Sequence, residues 1–487
     1  MRPKIQSTVI LILVAILTSV TACADDSDKA EQIDELMSKY HELRQFNGAV
    51  LVAEDGKVLY QGGYGLANME WDIPNTPDTK FRIGSITKQF TAMLILQQVE
   101  EGTLSLDATL FEMLPYYRED TGLQITLHQL LNHTSGIPSY TSLPGFMGET
   151  SRLSYDPETF VREFCSGDLE FEPGSEFRYN NSGYFLLGAI LERATGKSYE
   201  DLLQEKIFEP VGMHTSGYDI SAEILPYRAA GHVKTPQGFR NAEFLDMSLP
   251  YAAGSIYSTV GDLYLWDRAL HGGELLSKAL SKTMFTPGME NYAYGWFAIQ
   301  MPIGPDDSEI EVVSHGGGIN GFNTLIKRVT EDEHLVVLLN NTGRMPLQSI
   351  STGILDILYE RMPVEPRQPP SELIAMTAAT SGVEAAIAMY RELAESEPTA
   401  IENAEALLNQ QGYLQMSVDD LKSALAVFRL NAELFPESGN VHDSLGEALA
   451  KAGRTEDAIK SYARSLELDP GNRNAERQIS NLSAPRE

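Results

Sequence analysis

The sequence contains one Ser-x-x-Lys motif, Ser85 to Lys88, which follows Gly84 and opens a long apolar segment that ends at Gly102. The segment consists of good helix formers, so Ser85 is predicted at a helix N-terminus, where unpaired backbone N–H groups favour developing negative charge. Lys88 lies one turn along, and helical side chains lean toward the N-terminus, which carries its amine back toward the Ser85 hydroxyl. Burial also lowers the pKa of a lysine, so Lys88 is predicted as the base for a Ser85 nucleophile.

A second polar pair lies in the stretch FEPGSEFRYNNSGYF. Tyr179-x-Asn181 is the one Tyr-x-Asn of the sequence. Ser182 or Gly183 is predicted to open the next helix, which leaves the pair on the connecting loop. A tyrosine phenol beside a lysine ammonium ionises more easily and can shuttle a proton, and an asparagine amide can bind a substrate amide or carbonyl. The alternative interpretation is that the pair only packs the loop.

A third element should border the substrate cleft that Ser85 faces. It should present a basic or polar residue, followed by small residues whose backbone can approach a substrate. Stretches that begin at His271, His315 and Lys451 have this composition. The first is predicted to end an amphipathic helix and the last to lie in a helix turn of a repeat, whereas His315 follows a strand pattern at residues 311–313. His315 and its glycines are therefore the candidate. The HGGG of residues 315–318 also resembles the oxyanion loop of α/β-hydrolases, but the sequence has no Gly-x-Ser-x-Gly.

Three motifs thus follow one another as Ser85-x-x-Lys88, Tyr179-x-Asn181 and His315-x-Gly317. In this order they resemble the class C β-lactamase and penicillin-binding-protein-like serine hydrolase family. The resemblance covers roughly residues 30–345 and extends to ITLHQLLNHTSGIPSY, VGMHTSGY and AAGSIYSTVGDLYLW.

The resemblance implies a role for each motif residue. Ser85 forms an acyl-enzyme, while Lys88 and Tyr179 transfer protons. The backbone N–H groups of Ser85 and Gly318 form the oxyanion hole. Substrate binding is assigned to Asn181, Gly317 and Gly318. Neither a metal nor another cofactor is expected.

One departure from the family pattern bears on the substrate. The family's β-lactamases usually carry Lys-Thr-Gly where this chain has His315-Gly316-Gly317, so the lysine's fixed charge for a substrate carboxylate is absent.

The implied protein is an exported serine hydrolase for a small amide, ester or peptide: an esterase, a D-amino-acid peptidase or carboxypeptidase, or a weak β-lactamase. The alternative is a penicillin- or peptide-binding sensor that signals through the C-terminal repeats. The predicted catalytic residues are Ser85, Lys88, Tyr179 and His315, and the completeness of this set favours the enzyme. His128 and His133 are interpreted as structural.

The strands and helices that must position these residues lie toward both ends of residues 28–361. Residues 28–45 are predicted as an amphipathic helix, followed by a hairpin around Asp55-Gly56. Residues 85–280 are predicted to be mostly helical. Later elements are strands at Tyr294–Met301, Glu309–Ser314, Asn323–Val329 and His334–Asn340, and a helix near Gln348–Arg361. The predicted fold class is α+β: an antiparallel sheet flanked by helices and closed by both termini, plus an all-α subdomain across a cleft. The resemblance makes this fold β-lactamase/transpeptidase-like.

The N-terminus has the composition of an export signal. Residues 1–24 contain two basic residues and then an apolar run too short for a membrane span. Residues 22–24 fit the small-x-small cleavage rule, whereas residues 20–23 resemble a lipobox in which Cys23 becomes acylated. The lipobox is favoured because the chain has only 2 cysteines. The mature protein is expected outside the cytoplasm, in the periplasm, with membrane attachment only through a lipid anchor at Cys23.

The C-terminal region is predicted as a separate domain. The hydrolase domain is expected at residues 28–361, a Pro-rich linker at 362–373 and an all-α tetratricopeptide-type solenoid at 382–482. The repeat signature is a period of 34, with Gly412, Ala424, Phe428, Leu434 and Pro436 recurring as Gly446, Ala458, Tyr462, Leu468 and Pro470. A stabilising appendage and a docking site for a protein or peptide partner remain open. The net charge of −31 argues against a nucleic-acid partner.

Overall fold

The computed structural model describes residues 27–236, 238–303 and 308–483. The expected signal segment, residues 1–24, and its Cys23 anchor lie outside the described residues. Within the described ranges, none of the helices combines the length and the hydropathy needed to cross a bilayer. The chain divides into two compact units. One runs to His232 and continues at Asn241–Pro366, and the other comprises Val233–Arg240 and the chain from Arg367.

The regular elements alternate along the first unit. Its helices are α1 (27–42), α2 (Thr87–Glu100), α3 (Leu110–Met113), α4 (Glu119–Gly122), α5 (Leu127–Leu131), α6 (Pro157–Phe164), α7 (Asn181–Thr195), α8 (Tyr199–Leu203), α9 (Glu209–Val211), α10 (Tyr251–Gly254), α11 (Val260–Gly272), α12 (Lys278–Phe285) and α13 (Leu347–Leu358). The strands along the chain are β1 (Gly48–Glu54), β2 (Lys57–Tyr64), β3 (Leu66–Asn68), β4 (Ile73–Pro74), β5 (Phe81–Arg82), β6 (Gly217–Tyr218), β7 (His232–Thr235), β8 (Gly238–Asn241), β9 (Ile256–Ser258), β10 (Phe297–Pro302), β11 (Glu309–Ile319), β12 (Phe322–Val329) and β13 (His334–Asn340). Of these, β7 and β8 form a hairpin that belongs, apart from its end residues, to the second unit.

A six-stranded antiparallel sheet forms the centre of the first unit, in the order β10-β11-β12-β13-β1-β2. Strand β1 pairs with β13, so the two ends of the segment close one sheet as predicted. At the β1–β2 turn, Asp55 and Gly56 have φ of 49° and 74°. A two-residue type I′ hairpin turn requires positive φ at both positions, and Asp-Gly is suited to it. The predicted hairpin and antiparallel sheet are confirmed.

Both faces of the sheet are buried. Along β1, Ala49, Leu51 and Ala53 belong to one hydrophobic core, whereas Val50 and Val52 belong to a second. Successive strand side chains point to opposite faces, so a strand covered on both sides reads as a continuous apolar run. Helix α2 lies in the first core, and α1 and α13 cover the second. The residues that α1 buries are the apolar positions expected from sequence, Ile33, Leu36, Met37 and Tyr40.

Strand β11 is longer than predicted. The sequence indicates Glu309–Ser314, but β11 pairs with β12 as far as Ile319, so His315 and its three glycines lie within the strand rather than after it. A glycine is required here, since a Cβ at Gly317 would lie 1.9 Å from the backbone oxygen of Ile83. The middle of the unit also differs from the prediction, because short strands accompany its helices.

The second unit is helical beyond its short hairpin segment. Its helices are α14 (Pro370–Ser381), α15 (Val383–Ser396), α16 (Ala404–Ser417), α17 (Leu421–Leu434), α18 (Gly439–Lys451), α19 (Thr455–Leu468) and α20 (Arg473–Ser483). The helical region thus begins at Pro370, inside the predicted linker 362–373 and before the predicted domain start at 382. Proline is well suited to the first position of a helix, so a Pro-rich stretch can also be a helix start.

Candidate active site

Ser85 lies in a short 3₁₀ turn, Gly84–Ile86, immediately before α2. Gly84 has φ of 54°, and a Cβ there would lie 2.9 Å from the backbone nitrogen of Gly318 on β11. Only glycine combines this conformation with so close an approach to the strand. The turn therefore holds Ser85 next to the glycines of β11, at the start of a buried helix, as the sequence predicts.

Lys88 is fully buried on α2, and three oxygens surround its amine. Nζ lies 3.0 Å from Ser85 Oγ, 2.9 Å from Asn181 Oδ1 and 2.8 Å from the backbone oxygen of Ala253. Burial lowers the pKa of Lys88 well below its ordinary value, which favours the neutral amine. The amide and carbonyl oxygens can only accept hydrogen bonds, so they take the two N–H groups of a neutral amine. Its lone pair is left for the Ser85 hydroxyl.

The Tyr179 ring lies beside Lys88, with Nζ 5.0 Å from the ring centroid. Its hydroxyl is buried and has no hydrogen-bond partner within the described part of the chain. Burial raises the pKa of the phenol above its ordinary value. The expectation that Lys88 makes the phenol ionise easily is therefore wrong, because the amine faces the ring and burial favours its neutral form. Tyr179 is a protonated phenol.

His133 holds the loop that carries Tyr179. Its backbone oxygen accepts the N–H of Arg178 at 2.9 Å, and its Nδ1 accepts the N–H of Asn180 at 3.1 Å. The His133 and Tyr179 ring centroids are 4.3 Å apart. Burial lowers the pKa of His133 well below its ordinary value, so the ring is neutral. Sequence reasoning gave His133 only a local structural role, since nothing in the sequence links it to so distant a loop.

Asn181 is the first residue of α7 rather than a loop residue. Asn180 caps the helix, because its Oδ1 accepts the N–H of Gly183 at 2.9 Å. Asn181 Oδ1 contacts Lys88, and its Nδ2 donates to Thr141 Oγ1 at 3.1 Å. An amide carries two N–H groups, so Asn181 has one more donor to offer a substrate.

His315 lies behind Tyr179, with the ring centroids 6.0 Å apart. Its Nδ1 is 2.6 Å from the oxygen of Gly316, which can only accept, so Nδ1 carries the proton and Nε2 accepts the Tyr292 hydroxyl at 3.2 Å. Burial lowers the pKa of His315 to about 3. His315 is therefore neutral near pH 7, and both ring nitrogens are engaged. Tyr292 is a partner that the sequence motifs do not indicate.

The cavity at Ser85 has a volume of about 130 Å³. Of the residues predicted to bind substrate, Asn181 and Gly318 line it with Ser85, whereas Gly317 packs against the backbone of Ile83. The apolar side chains of the lining are those of Tyr140, Phe146, Met147, Leu245, Leu249, Pro250, Ala253 and Ile319. The predicted residues are thus arranged as a hydroxyl at an apolar cavity, with the proton-transfer groups packed behind it.

Within the described ranges, no three His, Cys, Asp or Glu side chains converge in a way that could hold a metal ion. The groups that converge on Ser85 are a neutral amine, a protonated phenol and the backbone of a glycine strand. A hydroxyl with an adjacent base and a separate proton donor is an arrangement for nucleophilic acyl transfer.

Known proteins resemble the chain over its first two thirds. The sequence profile of the beta-lactamase family matches residues 33–357. Penicillin-binding protein 4* of Bacillus subtilis (strain 168) is 30% identical over 335 residues, which cover 64% of this chain and 72% of that protein. The crystal structure of D-amino acid amidase from Ochrobactrum anthropi SV3, complexed with L-phenylalanine amide, is 26% identical with a TM-score of 0.58, covering 69% of this chain and 99% of that chain. A class C β-lactamase mutant at 22% identity has the same fold, with a TM-score of 0.58 over 69% of this chain and 98% of that chain.

Proposed function

The chain belongs to the beta-lactamase family, whose members are serine hydrolases, and from this premise we propose that it hydrolyses a small amide or ester through a Ser85 acyl-enzyme. The observation that carries the proposal is the buried amine of Lys88, which lies 3.0 Å from the Ser85 hydroxyl and whose pKa burial lowers well below its ordinary value. A neutral amine at hydrogen-bond distance from a serine hydroxyl is a general base already in place.

In the proposed acylation, Ser85 Oγ attacks the substrate carbonyl carbon while its proton passes to the Lys88 amine. The backbone N–H groups of Ser85 and Gly318, which both line the cavity, are the proposed donors to the oxyanion. The Tyr179 phenol gives its proton to the leaving nitrogen or oxygen and recovers one from the Lys88 ammonium. The products are the acylated serine and a free amine or alcohol.

Deacylation reverses the proton path. Water attacks the acyl carbonyl and gives a proton to Lys88, the Ser85 oxygen leaves, and the proton returns to it. His315 does not contact Ser85 within the described residues, so we assign it, with Tyr292, to the packing that holds Tyr179. This replaces the catalytic role that the sequence motif suggested for His315.

A substrate panel tests the proposal. Purified protein is assayed with short-chain esters, D-amino-acid amides and peptides, and a chromogenic β-lactam, and the protein's mass is followed for acylation. Turnover with transient acylation of Ser85 supports the hydrolase. Stoichiometric acylation without turnover would indicate the alternative, a penicillin- or peptide-binding sensor. Absence of both with every substrate would refute the proposal.

We expect Tyr179→Phe to lower kcat/KM at least about hundredfold, because it removes the proton donor for the leaving group. Tyr184→Phe is the matched control. The Tyr184 ring also lies beside Lys88, 5.5 Å from Nζ, but its hydroxyl donates to the Leu131 carbonyl at 2.8 Å, away from the chemistry. The measurement is steady-state hydrolysis of one ester by both variants. Equal losses in the two variants would mean that the Tyr179 hydroxyl has no specific role as the proton donor.

We also propose that helices α16 to α19 form two tetratricopeptide-type repeats. The support is a contact that recurs one period later: a Cβ on Gly412 would lie 2.5 Å from the Phe428 ring, and one on Gly446 would lie 2.9 Å from the Tyr462 ring. Both aromatic side chains are buried. A glycine on one helix thus admits the aromatic ring of the next, as stacked helix pairs require. A protein or peptide partner remains the proposed ligand of this region.

The Gly412→Val variant tests this packing. Overpacking against Phe428 should lower the free energy of unfolding of the helical unit by about 1–3 kcal/mol, while ester hydrolysis is unchanged because the region carries none of the active-site motifs. The control is Gly471→Val, since Gly471 is exposed. Circular dichroism melting and the ester assay give the two readouts. Unchanged melting of Gly412→Val, or a parallel loss of hydrolysis in a folded protein, would contradict the proposal.

A further inference from the structure

Resting on the proposed function, we propose that the cavity at Ser85 selects neutral substrates with an apolar group next to the scissile carbonyl. A substrate that carries a carboxylate at the same place is rejected.

The lining of the cavity supplies the attractive part of this selection. Tyr140 and Phe146 are each 4% exposed, and their ring centroids are 5.1 Å apart, so they form a fixed aromatic wall. Leu245 and Leu249 are buried, and Met147 extends the apolar surface to the rim, where it is 56% exposed. An apolar group that enters here leaves water for a preformed apolar surface, which favours binding.

The absence of charge supplies the repulsive part. Among the described residues that line the cavity, none is Asp, Glu, Lys, Arg or His. Lys88 and His315 lie close behind it, but the amine of Lys88 is enclosed by three oxygens, and both nitrogens of His315 are engaged. Neither can move to a carboxylate without breaking these contacts. A carboxylate in the cavity would lose its hydration without gaining a cationic partner.

A second effect acts at longer range. The chain has a net charge of −31, so its field repels anions before they reach the cavity. Salt separates the two effects. At 1 M ionic strength the Debye length is about 3 Å, so repulsion from the surface is screened, whereas desolvation inside the cavity is not.

The experiment compares two esters that have the same leaving group and nearly the same shape. They are the 4-nitrophenyl esters of 4-methylphenylacetic acid and 4-carboxyphenylacetic acid. The para carboxylate cannot reach its own ester carbonyl, so the two differ in charge rather than in intramolecular reactivity. With the full-length protein we expect kcat/KM to be at least tenfold higher for the methyl ester, and this ratio should persist at 1 M NaCl.

A variant at the rim tests the cause. Met147→Lys places a cation at the cavity, and because Met147 is 56% exposed the core is not disturbed. We expect the preference for the methyl ester to fall at least tenfold in Met147→Lys. In the control Met147→Gln, which removes apolar surface without adding charge, it should change by no more than about twofold.

The outcomes separate this inference from the proposed function. A carboxylated ester turned over as fast as its neutral partner, or a preference that disappears at 1 M NaCl, would overturn the substrate class while leaving the hydrolase intact. An unchanged preference in Met147→Lys would also overturn it. If neither ester is hydrolysed and Ser85 is not acylated by any probe, the proposed function itself fails.

Discussion

Ser85→Ala is expected to abolish ester hydrolysis, with a loss on the order of 10⁶-fold, together with covalent labelling by a fluorescent penicillin or a fluorophosphonate. The variant lacks the oxygen that would carry the acyl group. The fold should survive, since Ser85 lies at the surface of the cavity and its hydroxyl contacts only Lys88 among the hydrogen-bond partners seen. Gel fluorescence and initial rates give the two measurements.

The exposed Ser154 provides the control. Ser154→Ala should keep both labelling and turnover, and unfolding curves should show that Ser85→Ala is folded. Labelling of Ser85→Ala at the native level would show that another residue is the nucleophile. Loss of labelling in an unfolded variant would be uninformative, so a Ser85→Cys variant, which retains a nucleophile, should be labelled at least weakly.

Lys88→Met is expected to slow acylation about 10² to 10⁴-fold, the usual effect of a positioned proton-transfer group. No other base is ready to replace it. Tyr179 is protonated because burial raises the pKa of its phenol, and His315 has both ring nitrogens engaged. In the native protein, acylation should decline as the pH falls through the lowered pKa of Lys88, because an ammonium cannot accept the serine proton. Stopped-flow acylation over pH gives both results.

Lys88 should also make the free energy of unfolding depend on pH. In the unfolded chain Lys88 holds its proton up to its ordinary pKa of 10.5, whereas burial makes the folded protein release it at lower pH. Between these two pKa values the unfolded state binds more protons, so the free energy of unfolding rises with pH by about 1.4 kcal/mol per pH unit for this group. Lys88→Met removes that contribution.

Lys57→Met is the matched control, because Lys57 is exposed at the start of β2. It should leave both the acylation rate and the pH dependence of unfolding as they are in the native protein. Acylation by Lys88→Met at the native rate would refute the assignment of the base. Denaturant unfolding that shows the same slope with pH in Lys88→Met and the native protein would mean that Lys88 is charged when folded.

Several features could be predicted because they depend on residues close together in the chain. The spacing of Ser85 and Lys88 places both on one turn of a helix whatever surrounds it, and the apolar run after them indicates that the helix is buried. The Asp55-Gly56 turn depends on the φ values that two adjacent residues can adopt. Because β1 and β13 are buried on both faces, each reads as a short continuous apolar run, which the sequence shows directly. The order of the three motifs also indicated the family that the sequence profile matches.

The charge states and the supports of the site were decided by the tertiary structure. The Ala253 carbonyl that orients Lys88 is a backbone group, which no residue pattern marks, and His133 and Tyr292 come from segments far along the chain from the residues they hold. The extension of β11 through its glycines depends on pairing with β12, although glycine itself has little strand propensity. Burial, finally, reversed the expected behaviour of Tyr179 and left His315 neutral. The sequence by itself determined which side chains could do chemistry. Packing between distant segments determined how each side chain is protonated and what holds it in place, because desolvation depends on everything that surrounds a group.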